Sequence, residues 1–225
     1  MKYLLTIPYF VIHSIDLGFY SLQWPIIFTF VAVIAVVWAV NFFNFLDGID
    51  GYIGTEVVFI GISAYILTGE IIGLVLAASV GGFLILNWQK AKIFMGDVGS
   101  TLLGFIVAIL AIYYQNTEKT SIVVWLILTS VFWFDATITL LRRIRNKEKL
   151  SQAHRNHAYQ RIVQSGRSHQ KTVLFALLIN AAGFCLAFLA MKFNNLSLLF
   201  LLFDIAILTV VLRYVDGKKP FSYLK

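Results

Sequence analysis

Apolar runs long enough to cross a lipid bilayer dominate the chain, at about 23–40, 52–68, 70–88, 100–115, 120–141, 172–192 and 195–214. Hydrocarbon offers backbone N–H and C=O groups no partner, and a helix satisfies them within one segment of about 20 residues. The pattern predicts an all-α fold, a polytopic membrane bundle of about seven transmembrane helices. With 60% hydrophobic and 13% charged residues and a mean hydropathy of +0.83, the chain is too apolar for a soluble domain. Seven crossings put the termini on opposite sides.

Charge sets the orientation. Lys2, Lys119 and Lys192 fall on one side of this arrangement and every other lysine and arginine on the opposite side. By the positive-inside rule the second side is cytoplasmic, so loops 41–51, 89–99 and 142–171 face the cytosol together. The net charge of +7 is explained by this bias and by anionic lipid, and implies no nucleic acid. Residues 1–22 read as an interfacial or re-entrant segment: the run at 3–12 is too short to span, and 14–18 reads as a turn. With only Lys2 ahead of it and His13 and Asp16 within or behind it, that run makes a poor secretory signal. Residues 23–215 form the transmembrane domain and 216–225 a cytoplasmic tail. Cys185, the single cysteine, excludes an intrachain disulfide and is expected to pack as a small hydrophobe.

Three polar segments stand out against this background. The first is Asn41, Asn44, Asp47 and Asp50, each three residues from the last. If the preceding helix runs on through them, they line one slowly drifting stripe. Gly48 and Gly51 let backbone approach a phosphate or cation beside both carboxylates. A helix cap would need one carboxylate, not two with two amides. The second segment joins Asn87, Lys90, Lys92, Phe94 and Asp97 in a glycine-bracketed loop. Asp97 is a natural ligand for a hard cation, and Mg2+ needs only one or two carboxylates beside substrate phosphate oxygens; an ordinary Gly-Asp turn is the plainer alternative. The third, His154-Arg155-Asn156-His157, suits phosphate or a sugar-phosphate better than zinc, because arginines repel a cation and no Cys, Asp or Glu completes a site. A solvated basic loop would explain the arginines but not the histidines. Asp135, inside an apolar run, is a functional candidate unless it simply pairs with Arg142 or Arg143 near the interface. Asp204 has no evident partner, and Glu56 serves either the site or a cavity.

These residues carry a resemblance. Asn41-x-x-Asn44-x-x-Asp47-Gly48-x-Asp50-Gly51 resembles a motif of the polyprenyl-phosphate N-acetylhexosamine-1-phosphate transferases, of glycosyltransferase family 4 type. Phe94-Met95-Gly96-Asp97-x-Gly99-Ser100 is similar to their second cytoplasmic motif. Asn87, Asp135-x-Thr137 and Arg142-Arg143 also fit. The segment from His154 to Gln160 is similar to the histidine loop of members that start O-antigen and related surface glycans, and departs from the His-x-His-His form of the peptidoglycan branch. The resemblance implies transfer of an N-acetylhexosamine 1-phosphate from a UDP-sugar to polyprenyl (undecaprenyl) phosphate, with release of UMP, in a bacterial cytoplasmic membrane. It implies Mg2+, or Mn2+ in its place, with Asp97 at the metal. Asn44 and Asp47 fall to the diphosphate or catalytic centre with Asp97. Asn41, Gly48, Asp50, Asn87, Lys92 and Phe94 bind substrate, chiefly at the uridine end. His154, Arg155 and His157 contact sugar or phosphate. The donor sugar stays open among GlcNAc, FucNAc, QuiNAc and others.

One departure shapes the expectations. The family carries a paired-aspartate motif ahead of the first stripe, and this sequence has no adjacent aspartates. The chain is then expected to be an enzyme of this class, or a catalytically incomplete C-terminal part of one working with an N-terminal partner chain; a homodimer is the other assembly considered. A small-solute transporter is the rival from another class, since polar residues between broken helices also build a transport path.

Overall fold

The computed structural model describes residues 15–16, 21–22 and 25–221. Two two-residue strands, β1 (Ile15–Asp16) and β2 (Ser21–Leu22), pair antiparallel; the rest of the expected interfacial segment lies outside the described residues. Among the described residues this ladder is the one pair of strands beside the helices. The helices are α1 (Pro25–Leu46), α2 (Tyr52–Thr68), α3 (Ile71–Asn87), α4 (Gly96–Asn116), α5 (Ile122–Leu128), α6 (Ser130–Arg145), α7 (Ala158–Gln164), α8 (His169–Lys192) and α9 (Ser197–Lys218).

The protein is a polytopic helical membrane protein, and the helix lengths do not confirm the expected count of seven spans. Among the described residues four helices, α1, α4, α8 and α9, are long and apolar enough to cross, and the pair α5 and α6, bent by 77° at their break, brings the number to five when counted as one broken span. The helices α2 and α3 have 17 residues each, and at 1.5 Å per residue they reach ~25 Å, short of a hydrocarbon layer of ~30 Å. The bend falls at Thr129, where side chains add donors to the last carbonyls of α5. The Thr129 hydroxyl donates to the Trp125 carbonyl at 2.8 Å and the Trp133 indole to that of Leu126 at 2.7 Å. A broken helix survives at membrane depth only when such groups are satisfied again.

The core forms where α1 packs on α4 and α2 on α3, with α8 against α5 and α9. Phe43, Leu46, Ile53, Val57, Ile60, Tyr114 and Phe132 are all buried within it. Large apolar side chains on the outer faces, among them Ile26, Phe30, Leu178, Leu202 and Val210, are exposed, as expected of a protein whose solvent is lipid. Cys185 also lies on such a face and is exposed, contrary to the expectation that it packs inside. The exposed residues around it on α8, Leu178, Ala181, Ala182 and Phe188, are apolar, so an exposed thiol there faces a compatible medium.

Candidate functional site

The first stripe does not continue as a helix. The helix α1 stops at Leu46, and Asp47 and Asp50 stand in the turn to α2. Gly51, with φ of 76°, takes the left-handed conformation that starts α2, which glycine adopts without steric cost. Asp97 lies in the first turn of α4 and not in a free loop. The two helices are tied at this end by a long hydrogen bond, 3.4 Å, from the Asn44 amide to the Ser100 hydroxyl. Burial, and then the negative charge of Asp97, push the Asp47 carboxyl up to about 6. A carboxylate of the turn after α1 and one of the first turn of α4 thus repel one another at this end of the bundle.

A second group forms around Asp50. Its Oδ2 lies 3.3 Å from Nδ1 of His169, the first residue of α8, and accepts from the Ala91 N–H at 3.4 Å. Asn87, buried at the end of α3, accepts from the Gly51 N–H at 3.1 Å and donates to the Ile93 carbonyl at 2.9 Å. One amide therefore fixes both the Asp-Gly turn and the loop that carries Phe94.

The third group is the histidine segment, folded against α6. Asp135 accepts from the Ala158 N–H at 2.8 Å and from the Thr139 hydroxyl at 3.1 Å, and its Oδ1 lies 3.6 Å from Nδ1 of His157. His154 packs against His157, ring centroids 5.0 Å apart. Burial, helped by His157 and Arg143, lowers the His154 imidazole to about 4, so His154 is neutral at pH 7. Tyr159 joins this segment to the first, because its hydroxyl donates to the Phe45 carbonyl at 3.3 Å. Its phenol is held above its ordinary range by burial and by the charges of Asp135 and Asp47.

The expected residues divide accordingly. Asn44, Asp47 and Asp97 meet at the α1–α4 end, Asp50 and Asn87 at the turn, and His154 and His157 beside Asp135. Lys92, Phe94 and Arg155 are exposed, while the Asn41 amide donates back to Val37 of its own helix at 2.7 Å. Asp135 does not pair with the nearby arginines. Arg142 is held by Asp216 at 2.7 Å and Arg143 by Glu148 at 3.0 Å; the backbone N–H groups at the start of α7 take the place of an ion pair. Glu56 accepts from Asn180 within the bundle, not at the site, and Asp204 is hydrogen-bonded by Ser130. His169, Tyr159 and Ser100 are contacts that the sequence reading leaves out of the site. Ser100 stands in the Asp97 motif and could have been included. His169 follows Asp50 by 119 residues with no spacing signal.

Asp47 and Asp97 are carboxylates that could share a divalent cation, with its remaining ligands supplied from outside the protein. Among the described residues no three His, Cys, Asp or Glu side chains could hold a metal by themselves. The Asp47–Asp97 repulsion is nevertheless what a cation would neutralise. Mg2+ takes one or two carboxylates and fills its octahedron with waters and phosphate oxygens.

The glycosyl transferase family 4 pattern matches residues 2–115, which include the Asp47 turn, Asn87 and Asp97. The chain belongs to glycosyl transferase family 4. Among family members, it is similar to a probable undecaprenyl-phosphate N-acetylglucosaminyl 1-phosphate transferase of Bacillus subtilis (strain 168), 33% identical over 210 residues that cover 84% of this chain and 58% of that protein. It is also similar to the decaprenyl-phosphate N-acetylglucosaminephosphotransferase of Mycobacterium leprae, 30% identical over 178 residues, or 68% of this chain and 45% of the relative. A phospho-N-acetylmuramoyl-pentapeptide-transferase of Streptococcus pyogenes is 34% identical over 134 residues, 56% of this chain and 40% of the relative. The chain thus spans about half the length of these relatives. Membership of a glycosyl transferase family replaces the transporter reading.

Proposed function

We propose that the protein transfers an N-acetylhexosamine 1-phosphate from a UDP-sugar to polyprenyl phosphate, releasing UMP, in a bacterial cytoplasmic membrane, as the first membrane step of a cell-surface polysaccharide such as O-antigen. The observation that carries this reading is the meeting of Asp47 and Asp97 at one end of the bundle, next to the Asp50–Asn87 turn and the histidine segment. In the reaction an oxygen of the lipid phosphate attacks the β-phosphorus of the UDP-sugar, and the bond to the bridging oxygen breaks to free UMP. Such a phosphate monoester has a second pKa near 6, so the nucleophile is already largely dianionic at neutral pH and the difficulty lies in bringing two anions together. Asp97, with Asp47, would hold Mg2+, or Mn2+ in its place, whose charge offsets that of the diphosphate. Asn44 supports this end through Ser100, the Asp50–Asn87 turn offers polar groups to the uridine, and His154, Arg155 and His157 offer donors to sugar or phosphate.

The lipid side of the reading has support of its own. A nearly wholly apolar cavity of about 460 Å³ lies between α1, α4, α5 and α6, of a chemistry suited to a prenyl chain. A more polar cavity of about 440 Å³, lined by His154, His157 and Gln160, shares Trp38 with it. The Trp38 indole donates to Thr137 at 3.2 Å.

The test supplies UDP-GlcNAc labelled in the β-phosphate and undecaprenyl phosphate to the protein in proteoliposomes with Mg2+. Label in the lipid fraction with equimolar UMP is expected; UMP release without labelled lipid would overturn the reading. One observation favours a second form of it: these residues contain no adjacent aspartates, and in this form the acidic pair comes from outside them. Transfer that appears only when the N-terminal half of a relative is co-expressed would select this form.

A further inference from the structure

Asp135 has no task in the transfer as described, yet it is among the most enclosed carboxylates of the chain, 6% exposed. Its Oδ1 receives the Ala158 N–H and the Thr139 hydroxyl, and these contacts need only an acceptor. They do not explain a charge. What the charge faces is the imidazole of His157, itself 4% exposed, whose Nδ1 lies 3.6 Å from Oδ1. The ring cannot turn freely. Phe45 stacks against it at 6.4 Å between centroids and Tyr159 at 6.0 Å. The two nitrogens of an imidazole are distinct, and the partner of one decides which proton state the other presents. His157 lines the roughly 440 Å³ cavity with His154 and Gln160, so Nε2 is the nitrogen left for a ligand there.

We propose that Asp135 is a positioning residue that acts on the transfer through His157: its carboxylate keeps the proton on Nδ1 and aims Nε2 at the sugar-phosphate in the cavity. This rests on the transferase reading above. With the Nδ1 side of the ring turned to the carboxylate, Nε2 is the nitrogen that meets a polar atom of the sugar-phosphate, and the partner of one ring nitrogen decides what the other presents. A separation of 3.6 Å is longer than a hydrogen bond, and such contacts commonly tighten only when substrate binds.

Asp135→Asn removes the charge while its amide oxygen still accepts from Ala158 and Thr139; the one acceptor contact it gives up is the long one, 3.5 Å, from the Tyr159 N–H to the second oxygen. Asp135→Glu keeps the charge. The full chain, with 15N-labelled histidine rings and in lipid nanodiscs, is compared by NMR, the His157 signals being assigned by their loss in His157→Gln. In Asp135→Asn the His157 ring nitrogens are expected to shift, and in Asp135→Glu to stay close to the parent protein. Unchanged His157 signals in Asp135→Asn would overturn the proposal whether or not the protein transfers sugar-phosphate. In the transfer assay Asp135→Asn should lower kcat about tenfold or more, as loss of a histidine's orienting partner does elsewhere, with a smaller change in KM. The same substitution made in His157→Gln should change kcat less than about twofold, because coupled residues are not additive. Independent, multiplying losses would overturn the proposal. Absence of transfer by the parent protein would count against the function reading alone, and the NMR comparison would still decide this one.

Discussion

Tyr159 occupies the space that a side chain on Gly48 would need: a Cβ at Gly48 would overlap the Tyr159 hydroxyl. The contact binds the Asp-Gly turn to the histidine segment across 111 residues of sequence, 159 less 48. Tyr159 cannot easily retreat, since it is 2% exposed and its ring packs 4.9 Å from that of Tyr52.

Gly48→Ala should therefore behave as an overpacking change and lower stability by about 1–3 kcal/mol. Thermal unfolding in detergent measures it. Tyr159→Phe, which removes the overlapping oxygen, should restore part of the loss in the double variant. An alanine variant as stable as the parent would contradict the contact.

Asp216 near the end of α9 holds Arg142 of α6 and Arg161 of α7 with one carboxylate, at 2.7 and 2.6 Å. Arg161 is 1% exposed, so removing its partner strands a buried charge. Asp216→Ala is expected to cost about 3 kcal/mol, the low end for a broken buried pair because Asp216 itself is partly exposed. Release of α7 should also show as faster hydrogen exchange over residues 158–164. A change confined to α9 would exclude this clamp.

How far the sequence carries can be judged from these same residues. The apolar runs announced the helices because backbone satisfaction in hydrocarbon leaves few choices. Their lengths were less legible, since α2 and α3 are as apolar as the longer helices and fall short only by a few residues. The Asn41 to Asp50 spacing suggested a continuous stripe, whereas the chain leaves the helix at Leu46 ahead of Asp47-Gly48. Proximity in sequence suggested Asp135 with Arg142 or Arg143. Tertiary packing instead gave Arg142 to Asp216, 74 residues away, and Asp135 to the start of α7. The Asp50–His169 contact has no periodic or motif signal, and only the docking of α8 beside the turn reveals it.

His154 gives a pH dependence with a definite sign. Its imidazole titrates near 4 in the folded protein against an ordinary 6.5, so between these values the unfolded chain binds more protons. Stability then falls as pH drops from about 6.5 to about 4 and gains nothing from this group above that window. His154→Gln should flatten the slope of the unfolding temperature across pH 4–6.5. An unchanged slope would show that other groups set it.

The Asp47–Asp97 pair predicts two effects of opposite sign from one substitution. Without divalent cation, Asp97 disfavours the charged form of Asp47, so Asp97→Asn should relieve repulsion and raise, or at least not lower, the unfolding temperature. With Mg2+ and a UDP-sugar the same change removes a carboxylate expected at the metal, and the stabilisation that bound ligand gives the parent protein should be lost. Asp204→Asn supplies the contrast, because that carboxylate lies within α9 and is hydrogen-bonded by Ser130, away from the α1–α4 end. It should leave the Mg2+-dependent binding of UDP-GlcNAc, followed by calorimetry, nearly intact. Equal loss in the two variants would mean that metal dependence is not seated at Asp97. A drop in metal-free stability for Asp97→Asn would mean that the repulsion at the α1–α4 end is already compensated by another group.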